Sequence, residues 1–182
     1  MTFPEASSTV LAVIDLQEKL LRAMDSPGGC LTKCRILVEG INLLGIDGIV
    51  TEQYPQGLGK TNPAVSEMFS PKWPLLEKSS FSCFGDAGFR KELKSKTKKT
   101  LIVCGIEAHV CVQQTVLDGL DAGYQVFVPA DATTSRSTTD KQLALELMRK
   151  AGAIVTSVEA LLFMLLRDSS HPQFRPVSKL IK

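Results

Sequence analysis

Residues 98–112, Lys98-Lys99-Thr100-Leu101-Ile102-Val103-Cys104-Gly105-Ile106-Glu107-Ala108-His109-Val110-Cys111-Val112, decide how the chain is read. The run 101–104 is short, continuous and apolar, the pattern of a strand buried on both faces. Gly105 closes that run, and from about His109 the apolar spacing turns helical as far as Gly123. Cys111 then stands in the first turn of a helix, just past the C-terminal edge of a strand. Ligands of open α/β sheets gather at that edge. The free N–H groups of a first helical turn favour an anion, which predicts a lowered thiol pKa. Cys111 is therefore a candidate nucleophile. The alternative is a small buried apolar residue, the commoner fate of a free cysteine.

Outward from that stretch the same grammar repeats. Thr9-Val10-Leu11-Ala12-Val13-Ile14 reads as a central strand, apolar on both faces, that delivers Asp15 to the same edge. A carboxylate there is either a functional group or the N-cap of the next helix. Pro27-Gly28-Gly29 punctuates the chain, and residues 30–44 carry apolar positions at helical spacing, closed by Gly45. Residues 47–51 give the next strand, and the Gly/Pro-rich stretch 52–59 leaves it as a loop over that edge. Residues 72–77, with Pro74 among them, form a short strand near a sheet edge and lead to Lys78 and a hydroxyl- and aromatic-rich stretch, 79–85. Lys78 is either a group at the functional edge or one more solvated lysine.

A helix (86–96), a strand (100–104), a helix (109–122) and a strand (125–128) follow in βαβ order. After the polar loop 129–137 come a helix to about residue 151, a strand at 153–156 and a last helix at 158–166. This alternation predicts an α/β fold, a three-layer αβα sandwich around a mostly parallel, Rossmann-like sheet of about six strands. Residues 1–182 are expected to form one domain, with a core over about 8–166 and a tail, 167–182, that is mobile or docks on a neighbour.

Apolar residues make up 44% of the chain and charged ones 22%, ordinary for a globular protein, and a net charge of +2 selects no anionic partner. The lysine-rich stretch 91–99 reads as the solvated end of a helix. Five cysteines (30, 34, 83, 104 and 111) are an odd number, and the polar start, 1–9, lacks the features of a signal peptide. Reduced thiols and a cytoplasmic location are expected, without a clear mitochondrial signal. The two histidines, His109 and His171, and the single close pair Cys30/Cys34 do not make a zinc site, so no metal or cofactor is predicted. The apolar cluster 160–166 is too short to span a membrane.

Asp15, Lys78 and Cys111 thus fall at three strand ends. A carboxylate near a thiol takes its proton, and an ammonium beside both stabilises the thiolate, giving a nucleophile activated without histidine. Backbone N–H groups around Cys111 would receive the oxyanion of a tetrahedral intermediate. His109, two residues from Cys111, diverges from it on a helix, so a Cys–His dyad is the weaker mechanism. Gln53, Tyr54, Leu58, Phe81 and Phe84 are candidates for the wall of a small-molecule pocket.

The chain resembles the isochorismatase-like (cysteine amidohydrolase) superfamily over roughly residues 8–166. The residues that carry the resemblance are Val13-Ile14-Asp15-Leu16-Gln17, Glu77-Lys78 with Phe81, Ser82 and Phe84, Gly105-Ile106-Glu107-Ala108-His109-Val110-Cys111-Val112, and Ala130-Asp131-Ala132 with Ser135-Arg136. The resemblance implies a catalytic triad of Asp15 as proton acceptor, Lys78 as electrostatic partner and Cys111 as nucleophile. It also implies a cis peptide at Ile106–Glu107 beside the oxyanion site, and association of subunits, for which the apolar last helix is the further hint. Metal-binding members carry histidines after the second strand, where this chain reads Thr51-Glu52-Gln53-Tyr54-Pro55. The pattern is most similar to the metal-free branch of YcaC-type and isochorismatase domain-containing proteins, which implies hydrolysis of a small amide or related C–N bond.

Two other readings stay open. One is a binding or scaffold protein that keeps the fold without turnover. The other is an RNA-associated member like relatives labelled ribonucleases, for which aromatics at 6% and scattered lysines give little footing.

Overall fold

The computed structural model describes residues 3–182; residues 1 and 2 of the polar start lie outside the described residues. In chain order the elements are β1 (Thr9–Ile14), α1 (Glu18–Leu21), α2 (Pro27–Leu43), β2 (Asp47–Gln53), α3 (Pro55–Leu58) and α4 (Pro63–Ser66). Then come β3 (Leu75–Lys78), α5 (Ala87–Ser95), β4 (Thr100–Ile106), a π-helical turn (Ala108–Val112) continuing into α6 (Gln113–Asp121), and β5 (Gln125–Pro129). The chain ends with β6 (Thr133–Thr134), α7 (Thr138–Lys150), β7 (Ile154–Thr156), α8 (Val158–Leu166) and α9 (Phe174–Ile181).

Among the described residues seven strands form one sheet, in the order β3-β2-β1-β4-β5-β7, with β6 added beside β4. Every strand pairing is parallel, as the βαβ alternation requires. Alternation along β1 divides the core in two. Leu11 and Val13 face α2, α8 and α9, whereas Val10, Ala12 and Ile14 face α5, α6 and α7. All six residues of β1 are fully buried, so both faces are covered and the sandwich has the predicted three layers.

Several local expectations change. α2 starts at Pro27 rather than Cys30, because a proline at the first helical position has its backbone angle already set and lacks only an N–H that would be unpaired there. β2 runs on to Gln53, since β3 offers it partners as far as the pair Gln53–Lys78, and part of the loop behind it winds into α3. β4 does not stop at Gly105. That residue has φ +114° and lies so close to β1 that a Cβ would run into the carbonyl of Ile14, so the strand continues because the position is a glycine. The polar loop 129–137 contains β6, which pairs with Gly105 and Ile106.

The tail packs on its own chain. Its helix α9 packs on α2 and α8, with Val177 fully buried and Phe174 and Ile181 against the same core. Leu161, Leu162, Leu165 and Leu166 of α8 are spent in that core too, and of the helix's large apolar side chains Phe163 stays exposed. Among the described residues no helix is long and apolar enough to cross a membrane.

Candidate active site

The chain leaves β1 for β2 and β3 on one side, then crosses back to place β4 on the other. The crevice between the C-terminal ends of β1 and β4 is therefore the point where strand order reverses, the place such sheets bind ligands. Register levels three strand ends there: Ile14 pairs with both Thr51 and Gly105, and Gln53 with Lys78. Asp15 follows β1 directly, Lys78 is the last residue of β3, and Cys111 lies in the turn after β4.

Asp15 is fully buried at φ +52°. Its carboxylate accepts from the Thr51 hydroxyl at Oδ1 (2.7 Å) and from Lys78 Nζ at Oδ2 (2.7 Å). It does not cap the next helix: Gln17 stands at the N-cap of α1, without a side-chain cap bond. Nor is Lys78 solvated. At 4% exposure its ammonium donates to Asp15, to Gln53 Oε1 (2.6 Å) and to the carbonyls of Ser80 and Phe81 (3.2 Å each). Burial pushes the ammonium pKa down, but Asp15 and then the thiols of Cys111 and Cys83 outweigh it, and the net direction is up.

Cys111 is buried, and its thiol lies within the electrostatic reach of Asp15 and Lys78. Burial and the charge of Asp15 push the thiol up to about 12, with Lys78 pulling the other way. The predicted lowering by a helix N-terminus does not occur. The first turn is π-helical, and the N–H groups of Val110 and Val112 are both spent on the carbonyl of Glu107 (3.1 and 3.2 Å). The resting nucleophile candidate is thus a protonated thiol beside a carboxylate.

The Ile106–Glu107 peptide bond is cis, at the position the resemblance implies. Glu107, 7% exposed, holds Arg136 through Nε (3.0 Å), Nη2 (2.6 Å) and the backbone N–H (3.3 Å). Burial pushes its carboxyl up, yet the hydrogen bonds from Arg136 bring the net pKa below the usual range.

A cleft of about 290 Å³ opens over Cys111. Of the proposed pocket residues it is lined by Gln53, Leu58 and Phe81, together with Ile106 and Glu107. Tyr54 is not in the wall: a left-handed backbone, φ +37°, leaves it 60% exposed with its ring lying over Gly57. Phe84 is not there either, because the turn Cys83–Gly85 aims it at Phe89 and Tyr124 in the core beneath α5. Leu20, Val110 and Arg136 complete the lining; Val110 and Arg136 lie in stretches that carry the resemblance, and Leu20 does not. Thr51 carries no signal of its own in the sequence, and Glu107 and Arg136, each in a stretch that carries the resemblance, are paired only by the fold.

His109 bonds Ser135 Oγ through Nδ1 (3.0 Å), and no dyad with Cys111 is formed. Asp131 accepts from the Val158 N–H at the start of α8 (2.9 Å), a structural task. Among the described residues no group of three or more His, Cys, Asp or Glu side chains is arranged to hold a metal ion.

With this geometry in place, residues 9–160 match the Isochorismatase domain family. Isochorismatase domain-containing protein 2 of Pongo abelii is 38% identical over 176 residues, covering 96% of this chain and 83% of that protein. Isochorismatase domain-containing protein 1 of Salmo salar is 36% identical over 177 residues; the match covers 97% of this chain but 62% of that protein's length. A solved structure described as MAR1 ribonuclease from Caenorhabditis elegans is 40% identical with a TM-score of 0.94, covering 99% of this chain and 92% of that one.

Proposed function

The chain belongs to the isochorismatase family, and from that premise we propose that it is a cysteine hydrolase of a small amide or related C–N bond. The observation that carries the reading is the buried pair Lys78–Asp15 (2.7 Å), whose two charges both act on the Cys111 thiol in the lining of a small cleft. Asp15 takes the thiol proton as Cys111 Sγ attacks the substrate carbonyl carbon. Lys78 lowers the cost of the thiolate, being the charge that opposes burial and Asp15. The oxyanion goes to the Cys111 N–H, because its neighbours at Val110 and Val112 are already engaged.

When the tetrahedral adduct collapses, the proton on Asp15 passes to the departing nitrogen and the C–N bond breaks, leaving a thioester. Asp15 then takes a proton from water as the hydroxide adds to the thioester carbon. The C–S bond breaks, the thiolate recovers that proton, and the acid leaves.

The test is release of ammonia or amine from a panel of small amides, with intact mass of the stalled enzyme read in parallel. Cys111→Ala, Asp15→Asn and Lys78→Ala should each abolish turnover, and wild type should accumulate an acyl adduct on Cys111. Full activity in Cys111→Ala would sink the reading.

The name of the C. elegans relative favours a second reading, RNA cleavage. The lysine-rich stretch 91–99 gives it little support at the cleft: it leads into the N-terminal end of β4, the opposite edge of the sheet from Cys111. RNA cleavage that survives Cys111→Ala would favour a separate surface. Self-association belongs to the main reading, with Leu143 and Leu147 exposed one turn apart on α7 as a candidate contact; sedimentation as a monomer counts against it.

A further inference from the structure

The cleft lining holds two separate polar groups among apolar side chains. The inner pole is Cys111 with Lys78, Asp15 and Gln53; the outer pole is Arg136 on Glu107. The rest of the lining is apolar: Leu20, Leu58, Phe81, Ile106 and Val110. The inner pole accounts for the scissile group. Nothing in the reaction uses the outer one.

Its two partners differ in what they leave unused. Glu107 is buried, and each of its oxygens already accepts from Arg136. Arg136 spends one edge of its guanidinium, Nε and one N–H of Nη2, on that carboxylate. The other edge, Nη1 with the second N–H of Nη2, has no hydrogen-bond partner among the described residues. A guanidinium presents a planar fork of parallel donors along that edge, matched to the two oxygens of a carboxylate. Glu107 fixes the plane of the fork, so a second carboxylate meets a preorganised donor pair rather than a free side chain. The side chain of Arg136 is 60% exposed, so the free edge is open to a ligand. Asp140 is the other carboxylate whose charge acts on Arg136, and it makes no hydrogen bond to it. His109 does not compete, being turned to Ser135.

We infer that the substrate is a small amide bearing a carboxylate, or an equivalent planar anion, at the end remote from the scissile bond, and that Arg136 is the residue that selects it. This rests on the cysteine-hydrolase reading and adds the substrate's charge to it. The size agrees: about 290 Å³ is at the lower end of ligand pockets, which run from about 300 to 1,000 Å³. The apolar share of the lining fits a short hydrocarbon spacer, and a cationic group in place of the carboxylate would face the guanidinium.

Iodoacetate and iodoacetamide test this, since both alkylate a thiol and differ only in carrying a carboxylate or its amide. Rates are read at the Cys111 peptide by mass spectrometry, which separates it from the other cysteines, and the ratio of the two is referred to N-acetylcysteine. Wild type should favour iodoacetate by about fivefold or more over that reference, and Arg136→Met should bring the ratio to the reference or below. Arg136→Lys should retain part of the preference. The double variant Arg136→Met/Glu107→Gln, which leaves no unpaired carboxylate behind, should lose it as fully as Arg136→Met. A Cys111 that takes iodoacetamide but shows no preference, or keeps the preference in Arg136→Met, overturns the substrate class and leaves the hydrolase reading standing. A Cys111 that takes neither reagent even at pH 10.5, where its thiolate is populated enough to react, overturns the hydrolase reading and the substrate class with it.

Discussion

Thr51 holds Asp15 at two points: its carbonyl accepts the Asp15 N–H (3.1 Å), and its hydroxyl donates to Asp15 Oδ1 (2.7 Å). The parallel register that sets Thr51 beside Ile14 makes both contacts available at once. Asp15 therefore keeps a backbone conformation unusual for a side-chain-bearing residue while its second oxygen faces Lys78.

Thr51→Val keeps the shape and the backbone bond but removes the hydroxyl. A hydrogen bond to a charged group contributes about 1.5–3 kcal/mol. The variant should lose stability in that range and fall at least tenfold in kcat, with Thr51→Ser close to wild type. Urea unfolding and turnover, measured side by side, check this; a fully active Thr51→Val would show that the Lys78 bond alone orients the carboxylate.

Gly105→Ala strikes the joint between β1 and β4. The residue needs φ +114°, and a Cβ would meet the Ile14 carbonyl, which belongs to the central strand and has nowhere to go. Backbone strain of this kind costs about 1–3 kcal/mol before the collision is counted. The expected outcome is a lower urea midpoint and loss of turnover, because Cys111 is carried on the same strand end. An unchanged midpoint would mean the two strands can part without cost.

How much of this was legible beforehand follows the range of the interactions. β1 and α8 were readable to the residue because their apolar runs are bounded by a polar residue or a cap within the same few positions. The three strand ends could be paired with a chemistry because parallel topology alone brings C-terminal ends to one edge. The continuation of β4 past Gly105 was not legible, since a glycine that ends a strand and one that lets two strands touch look the same in sequence. The thiol's direction was misread for a related reason. A helix N-terminus is a local feature, but the burial and the Asp15 charge that outweigh it come from residues nearly a hundred positions away. Tyr54 and Phe84 sit beside wall residues in sequence, but a single left-handed residue or a tight turn is enough to point each elsewhere.

The tail offers a test of packing. Val177 is fully buried between α9 and the core beneath α2. Val177→Asp places a carboxylate in that apolar cluster and should cost more than about 2 kcal/mol. Thermal unfolding should show a clear drop, and a variant ending at Asp168 should show a similar one. Wild-type stability in both would mean that α9 contributes nothing to the fold.

The thiol of Cys111 gives a prediction in which protonation and activity part company. Burial first and the Asp15 charge second hold its pKa at about 12 against an ordinary 9.0, and Lys78 opposes them. Removing the negative charge in Asp15→Asn should therefore lower the thiol pKa, and alkylation at pH 8 should speed up relative to wild type. The same variant should be inactive in turnover, because the proton acceptor is gone. Lys78→Met has the opposite sign: the thiol pKa rises, alkylation slows, and the unpaired buried carboxylate costs about 3–5 kcal/mol of stability. The linkage to folding has a definite direction too. Below about pH 9 the thiol is protonated both folded and unfolded, and its contribution is fully present. As pH rises from about 9 toward about 12 only the unfolded chain gives up the proton, so stability falls. Cys83, raised to about 11 by its burial, adds to the same fall. Urea midpoints at pH 8 and pH 10.5 should therefore differ more in wild type than in Cys111→Ala. An Asp15→Asn enzyme that alkylates more slowly than wild type would mean that the carboxylate activates the resting thiol rather than restrains it.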